Sequence, residues 1–342
     1  MKAAVTGGAG FIGHHLVRAL LKQGDDVTVL DDFSAGRRSR LAGIEDHLAI
    51  VEGSVLDPDA LDAALAGCEV VFHHAALVSV EESMLRPQRT VDVNERGTIE
   101  VMLAAARGGL RRVVFAGSSA VYGDSDQLPC REDQRATPLS PYGVSKLAAE
   151  LYVHALGTAL GVETVALRYF NVFGPGQDPG SPYAGVIPRF ISSILDGRQP
   201  VINGSGAITR DFVYVDDVVQ ANLLGSKDAT PAGLTCNIAN GTPTSLLELL
   251  DAVRAATGSD IEPAFGPTRP GDILHSHADV SVAARVLGFE AATTLREGIA
   301  RTVEWYRQPG NRSLTDPQAA PGIDVGTTQR ARPQRGTRTR PT

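Results

Sequence analysis

Short apolar runs alternate with stretches in which apolar residues recur every three or four positions, and the two patterns trade places through the first half of the chain. Six runs read as strands: "KAAVT" (2–6), "DVTVLD" (26–31), "HLAIVEG" (47–53), "EVVFHHA" (69–75), "RRVVFAGS" (111–118) and "VETVALRYF" (162–170). They are short, rich in valine and apolar on both faces, as buried parallel strands are. Between them "HHLVRALLKQ" (14–23), "DALDAALAG" (59–67), "GTIEVMLAAARG" (97–108) and "SKLAAELYVHAL" (145–156) carry the helical period. The alternation predicts an α/β fold, a doubly wound parallel sheet with helices on both faces, over residues 1–170. After Asn171 the rhythm breaks. Gly- and Pro-rich loops such as "FGPGQDPGSPYAG" (173–185) separate short strands from isolated helices. A smaller mixed α/β domain over 171–308 is expected, with "DFVYVDDVVQANLLG" returning to the first domain near 211–236. From 309 to 342 apolar periodicity is almost absent, which reads as a disordered tail with a basic end.

Composition adds exclusions. Of 342 residues, 43% are hydrophobic and 21% charged, an ordinary globular balance. The formal net charge of −7 supplies no basic field, so nucleic acid is not expected as a partner. Three cysteines, Cys68, Cys130 and Cys236, are odd in number and far apart. They suggest neither a disulfide framework nor a zinc site, as suits a reducing cytoplasm. Glycines break the apolar run at the N-terminus, which reads as a buried strand and helix rather than a leader segment. No run approaches membrane-spanning length. His73 and His74 end a buried strand with no convergent acids, so no metal is assigned.

The first chemical signal is "VTGGAGFIG", which spaces Gly7, Gly10 and Gly13 as GxxGxxG between the first strand and a helix. Glycine there permits a sharp turn and lets backbone N–H groups approach a pyrophosphate at the positive end of the helix. The next strand ends at Asp31-Asp32, about 20 residues on, where an acid bonds ribose hydroxyls and repels a 2′-phosphate. Strand, glycines, helix and acid in this order point to a Rossmann-type domain holding NAD rather than NADP. Arg37 and Arg38 nearby are of the residue type that would accept a 2′-phosphate, so they bear on that choice.

The second signal is "YGVSK", which places Tyr142 and Lys146 on one helix face. A free tyrosine, with a pKa of about 10, is a poor base at neutral pH. An adjacent ammonium and an oxidised nicotinamide favour its phenolate, allowing it to take a proton from a sugar hydroxyl as hydride leaves the same carbon. "GSSAVYG" follows the fifth strand at the edge where ligands of open α/β sheets bind, and Ser118 there can orient the alcohol.

With these motifs in hand, residues 1–307 resemble the extended short-chain dehydrogenase/reductase superfamily, in particular nucleotide-sugar 4-epimerases. The stretches that carry the likeness include "TGGAGFIG", "LDDFSAG", "HHAALVSVEES", "AGSSAVYG", "LRYFNVFGPGQDP", "YAGVIPRF", "VINGSGAITRDFVYVDDVVQANL" and "RPGDILHSHAD". The resemblance implies cofactor contacts from Gly7, Gly10, Phe11, Ile12 and Gly13, from Asp31, Asp32, Ser34 and Gly36, and from Ser54 and Val55. It adds Ala75, Ala76 and Asn94 beside Tyr142 and Lys146. Ser54 stands where the family often has an acid for the adenine amino group. For a UDP-sugar it implies Ser118, Ser119, Tyr142, Asn171, Val186, Val201, Asn203, Arg210, Arg269, Asp272 and Ser276, the two arginines serving the diphosphate. A homodimer through a helix bundle is also implied.

Dehydratases and decarboxylases on this scaffold carry acidic groups just before the VYG-type tyrosine. Here those positions are Ser119 and Ala120, so a ketone formed at C4 can only be reduced again, which predicts 4-epimerisation. A UDP-glucuronate decarboxylase or a nucleotide-sugar dehydratase is the enzymatic alternative. A non-catalytic NAD-binding regulator is the alternative of another class. The resemblance also implies that the residue seven after the arginine of RxGD gates the sugar pocket; counted from Arg269 it is Ser276, small enough to admit an N-acetyl group. UDP-GlcNAc/UDP-GalNAc and UDP-Glc/UDP-Gal are therefore favoured, with a uronate pair also compatible.

Overall fold

The structure, a computed structural model, describes residues 1–178, 185–268, 273–309 and 311. Strands run over Lys2–Thr6 (β1), Asp26–Asp31 (β2), Leu48–Glu52 (β3), Val70–His73 (β4), Arg112–Ser118 (β5) and Glu163–Tyr169 (β6). Shorter ones follow at Asn171–Phe173 (β7), Val201–Asn203 (β8), Thr209–Tyr214 (β9), Leu234–Ile238 (β10), Pro243–Ser245 (β11), Ala264–Gly266 (β12) and His275–Ser276 (β13). The helices are Phe11–Lys22 (α1), Pro58–Leu65 (α2), Val80–Leu85 (α3), Pro87–Val91 (α4), Gly97–Arg107 (α5) and Pro141–Leu160 (α6). Beyond them lie Val186–Leu195 (α7), Val215–Gly225 (α8), Leu246–Thr257 (α9) and Leu295–Arg307 (α10).

The main sheet has the order β10-β6-β5-β4-β1-β2-β3 and is parallel throughout. Alternate residues of each strand feed opposite faces. Ala3, Val5 and Val29 meet Leu16 and Leu20 of α1 and Val218 of α8, while Ala4, Val71 and Val113 meet Leu61 of α2, Val101 of α5 and Val153 of α6. Two apolar layers on one sheet explain why its strands show no polar alternation, and the Rossmann-type expectation is borne out.

Helix ends differ from the periodicity for local reasons. The first helix starts at Phe11 because Gly10, in extended backbone, is its N-cap. In α6 the Ser140 hydroxyl accepts the Gly143 N–H, Pro141 opens the first turn, and Gly161 closes the helix at φ 73°. Tyr142 therefore sits in the first turn of a 20-residue helix.

Strands β7, β9, β11 and β13 form a smaller sheet. Strand β8 pairs with β12 alone. The chain returns to the main sheet through α8 and β10, the latter in register with β6. Phe190, Phe212, Tyr214, Leu249, Val253, Ile299 and Val303 make the core between the smaller sheet and α7, α9 and α10. Capping boxes, Ser245 with Glu248 and Thr294 with Glu297, start α9 and α10. Of the segment 309–342, read above as a tail, residues 310 and 312–342 lie outside the described residues.

One buried cation ties this return to the sheet. Arg112, 1% exposed, donates from Nε (2.9 Å) and one terminal nitrogen (2.6 Å) to the Glu163 carboxylate, from that same nitrogen to the Thr230 carbonyl (2.8 Å) and from the other to the Gly225 carbonyl (2.9 Å). Arg112→Met leaves those carbonyls without donors and is expected to cost about 3 kcal/mol, measured by chemical denaturation.

Candidate active site

The chain leaves β1 through Gly7, whose φ of +68° is left-handed and whose missing Cβ would lie 2.8 Å from the Ala75 nitrogen. A Cβ on Gly13 would lie 2.2 Å from the Gly7 carbonyl oxygen. Glycine is required at both positions by close backbone approach. The first turn of α1 has no side-chain cap and no acidic residue. Its N–H groups at Phe11, Ile12 and Gly13 are thus free to meet an anion, and the turn fits a pyrophosphate.

Asp31 closes the loop from the neighbouring strand. Its carboxylate accepts the N–H of Ala9 and of Phe33, each at 2.9 Å, and a Cβ on Gly36 would strike it at 2.4 Å. Burial raises its pKa and the two N–H bonds oppose that rise. Asp32 is exposed and accepts the N–H (2.9 Å) and hydroxyl (2.6 Å) of Ser34. Arg37 is ion-paired with Asp178 and Arg38 with Glu52. Both guanidinium groups thus already face carboxylates rather than an open 2′-phosphate position. Ser54 accepts the Leu56 N–H, and Val55 is buried against Gly97.

At the carboxyl edge of the sheet, a chain of neutral hydrogen bonds fixes the first turn of α6. Thr98 donates to the Asn94 carbonyl (2.6 Å), so its oxygen accepts from His73 Nε2 (2.9 Å), and His73 Nδ1 accepts from Thr6 (2.7 Å). Thr6 in turn accepts the Ala75 N–H at 3.1 Å, which positions Ala75 and Ala76. Burial drives the His73 pKa down to about 3, in keeping with this neutral tautomer. Asn94 spends its side-chain amide on the backbone of Leu77 and on Ser145 Oγ (2.9 Å), and Ser145 donates to the Tyr142 carbonyl (2.8 Å). Ser83 accepts the Tyr142 N–H at 3.1 Å. Ser83, Ser145 and Thr98 escaped the sequence reading because isolated hydroxyls have no characteristic spacing.

Tyr142 is partly exposed and Lys146 is 4% exposed. The Lys146 nitrogen lies 4.4 Å from the centre of the Phe115 ring. Burial raises the Tyr142 phenol pKa, and its hydrogen bond with Ser118 pulls the other way. Burial lowers Lys146 to about 7. The structure thus brings Ser118, Tyr142 and Lys146 together at one edge. Ser118 also accepts the Ala120 N–H in the turn that holds Ser119.

The candidate sugar-nucleotide residues come from the smaller sheet and its surroundings. Arg210 of β9 is the register partner of Ser276 in β13, and Asn171 of β7 pairs with Phe212 of the same β9. Arg210 donates to the Thr209 carbonyl at 2.8 Å. Val186 opens α7, and Val201 and Asn203 flank β8, with Val201 exposed. Arg269 and Asp272 lie outside the described residues.

The match to known proteins agrees with this geometry. Residues 3–239 match the model of the NAD dependent epimerase/dehydratase family. UDP-glucose 4-epimerase of Mycolicibacterium smegmatis is 40% identical over 312 residues, covering 90% of this chain and 99% of that one. UDP-N-acetyl-alpha-D-glucosaminuronate decarboxylase of Bacillus cytotoxicus is 31% identical, covering 91% and 99%. A solved UDP-N-acetylglucosamine 4-epimerase from Methanobrevibacter ruminantium superposes with a TM-score of 0.85 at 38% identity, covering 89% of this chain and 97% of that one. The chain belongs to the NAD dependent epimerase/dehydratase family.

Lys146 generates a pH test. Its proton leaves near pH 7 in the folded chain but only near 10 when unfolded. Between those values the unfolded state binds more protons, so stability rises with pH, by up to about 1.4 kcal/mol per unit. Lys146→Met should flatten that rise in denaturation curves taken from pH 7 to 9.

Proposed function

We propose that this member of the family is an NAD-dependent UDP-sugar 4-epimerase. One observation supports the reading: Tyr142, Ser118 and Lys146 lie together at the carboxyl edge of the sheet, and the two residues after Ser118 are Ser119 and Ala120. Neither can exchange a proton at C5 or C6 near neutral pH, so nothing there commits a C4 ketone to dehydration. Bound NAD would supply acceptance of a hydride from C4 and its return. Tyr142 removes the O4 proton and gives it back, Ser118 orients the hydroxyl, and Lys146 favours the phenolate. Inversion requires that the ketone present its other face before reduction.

Arg210, with Asn171 beside it on the neighbouring strand, is the anchor we assign to the diphosphate, and Val201 and Asn203 border the base. Ser276, in register with Arg210, leaves room for an N-acetyl group, which makes UDP-N-acetylhexosamines the preferred pair, followed by UDP-hexoses. A uronate decarboxylase is the second reading, favoured by the Bacillus cytotoxicus relative. Exposed apolar side chains on α3, α4 and α6, among them Met84, Leu85, Val91, Val144 and Leu151, fit a second copy of the chain and support a homodimer.

Incubation with UDP-GlcNAc, UDP-glucose or UDP-glucuronate, with products read by proton NMR, should show a 4-epimer. A pentose, or a persistent 4-keto sugar, would overturn the reading. Tyr142→Phe is expected to lower kcat by about 10²–10⁴-fold. Ser276→Tyr should abolish turnover of UDP-GlcNAc while sparing UDP-glucose, measured as the ratio of the two kcat/KM values.

A further inference from the structure

The buried face of α6 carries a second charge behind the reactive pair. Glu150 follows Lys146 by four residues and Tyr142 by eight, so the three share one side of the helix. Glu150 is 3% exposed, and its partner Arg168 on β6 is 6% exposed. Arg168 donates from Nε (2.9 Å) and a terminal nitrogen (2.6 Å) to the two carboxylate oxygens, a bidentate pair. The other terminal nitrogen of Arg168 donates to the Tyr122 hydroxyl (2.8 Å) and the Glu132 carbonyl (3.3 Å), and Tyr122 donates to Asn237 Oδ1 (2.6 Å). Each member is held by at least one further residue, so the carboxylate has no room to turn away.

Lys146 lacks such a partner: among the described residues no carboxylate lies within 4.0 Å of its nitrogen. Around it, β5 presents the Phe115 ring, β4 ends in His73 with His74 just after it, and α6 itself contributes Tyr142 and Glu150. Both histidines are held neutral by burial, with pKa values near 3 and 4. Asn94, Ser145 and Thr98 nearby are uncharged. Among the described residues, the opposite charge one helical turn from Lys146 is Glu150.

We propose that Glu150 is a positioning residue for the reaction: Arg168 fixes its carboxylate on the buried side of α6, one turn behind Lys146, where its charge favours the lysine ammonium and so sets the pH range in which Tyr142 can work. The direction is consistent, since burial lowers the lysine pKa and Glu150 raises it. A charge one turn away acts strongly here because buried pairs escape solvent screening. What the lysine charge does for catalysis rests on the 4-epimerase reading, whereas the coupling of Glu150 to Lys146 does not.

The chain has four lysines, Lys2, Lys22, Lys146 and Lys227, so ε-carbon NMR of protein made with ¹³C-lysine resolves Lys146, assigned by its loss in Lys146→Met. In Glu150→Gln the Lys146 titration midpoint should fall by about one pH unit. Glu150→Gln with Arg168→Gln removes both charges and leaves no unpaired buried ion, so it carries the test if the single variant does not fold. It should show a fall in the same direction, smaller because the Arg168 cation is removed as well. The alkaline limb of the kcat/KM profile should move down with the midpoint, and Glu150→Asp should restore part of both. A Lys146 midpoint unchanged or raised in the folded variants would overturn the proposal. Absence of turnover by the wild type, with the midpoint still falling, would count against the epimerase reading alone.

Discussion

A helix that lays a polar face on an apolar sheet is the constraint on which the site depends. Helix α6 buries Ser145, Lys146 and Glu150 together with Ala149 and Val153. Burying such groups costs several kcal/mol each unless they find partners. Beyond the Ser145 bond to the Tyr142 carbonyl within the helix, other elements supply the partners: Asn94 for Ser145, the Phe115 ring for Lys146, and Arg168 for Glu150. These requirements orient the first turn, and so the phenol of Tyr142, with little freedom left. The same burial that demands partners also raises the pKa of Tyr142 and lowers that of Lys146, the hydrogen bond with Ser118 opposing the first shift and Glu150 the second.

The dinucleotide loop is held by a comparable set of obligations that reach across the fold. Arg40 donates to the carbonyls of Ala9 (3.2 Å) in the glycine loop and Gly176 (3.0 Å) beyond β7. His15 of α1 bonds the Pro175 carbonyl at 2.9 Å. Tyr306 of α10 bonds the Gln177 carbonyl, and Asp178 pairs with Arg37. The segment 174–178 thus joins the first turn of α1 to the last helix. Asp211 performs a similar service between strands, accepting the N–H groups of Asn240 (2.9 Å), Gly241 (3.0 Å) and Ala278 (3.1 Å). It links β9 to the loop after β10 and to the end of β13.

Much of this was legible in the sequence where the physics is local. Apolar runs on both faces, helical periodicity and cap residues depend on neighbours a few positions away, and they located the first six strands to within one or two residues. The spacing of Gly7, Gly10 and Gly13, the placement of Asp31, and the Tyr142–Lys146 interval are likewise properties of a single turn or one strand–helix unit. The longer extent of α6 was less legible, because Gly143 and Gly157 lie inside it and dilute the helical pattern, whereas the caps Ser140 and Gly161 operate through backbone geometry.

Sequence alone determined the parallel α/β architecture, the glycine loop between β1 and α1 and the shared helix face of Tyr142 and Lys146, since each follows from short-range sterics and hydrogen bonding. Only the tertiary structure decided that Arg112 and Arg168 are buried and satisfied, that β10 completes the sheet beside β6, and that Asn94 holds Leu77 and Ser145. It also decided that Arg210 and Ser276 are side by side. An arginine in a strand looks the same whether it faces water or a carboxylate brought from 18 or 51 residues away. The partner of a buried charge is chosen by how the chain packs at long range, and no local pattern encodes that choice.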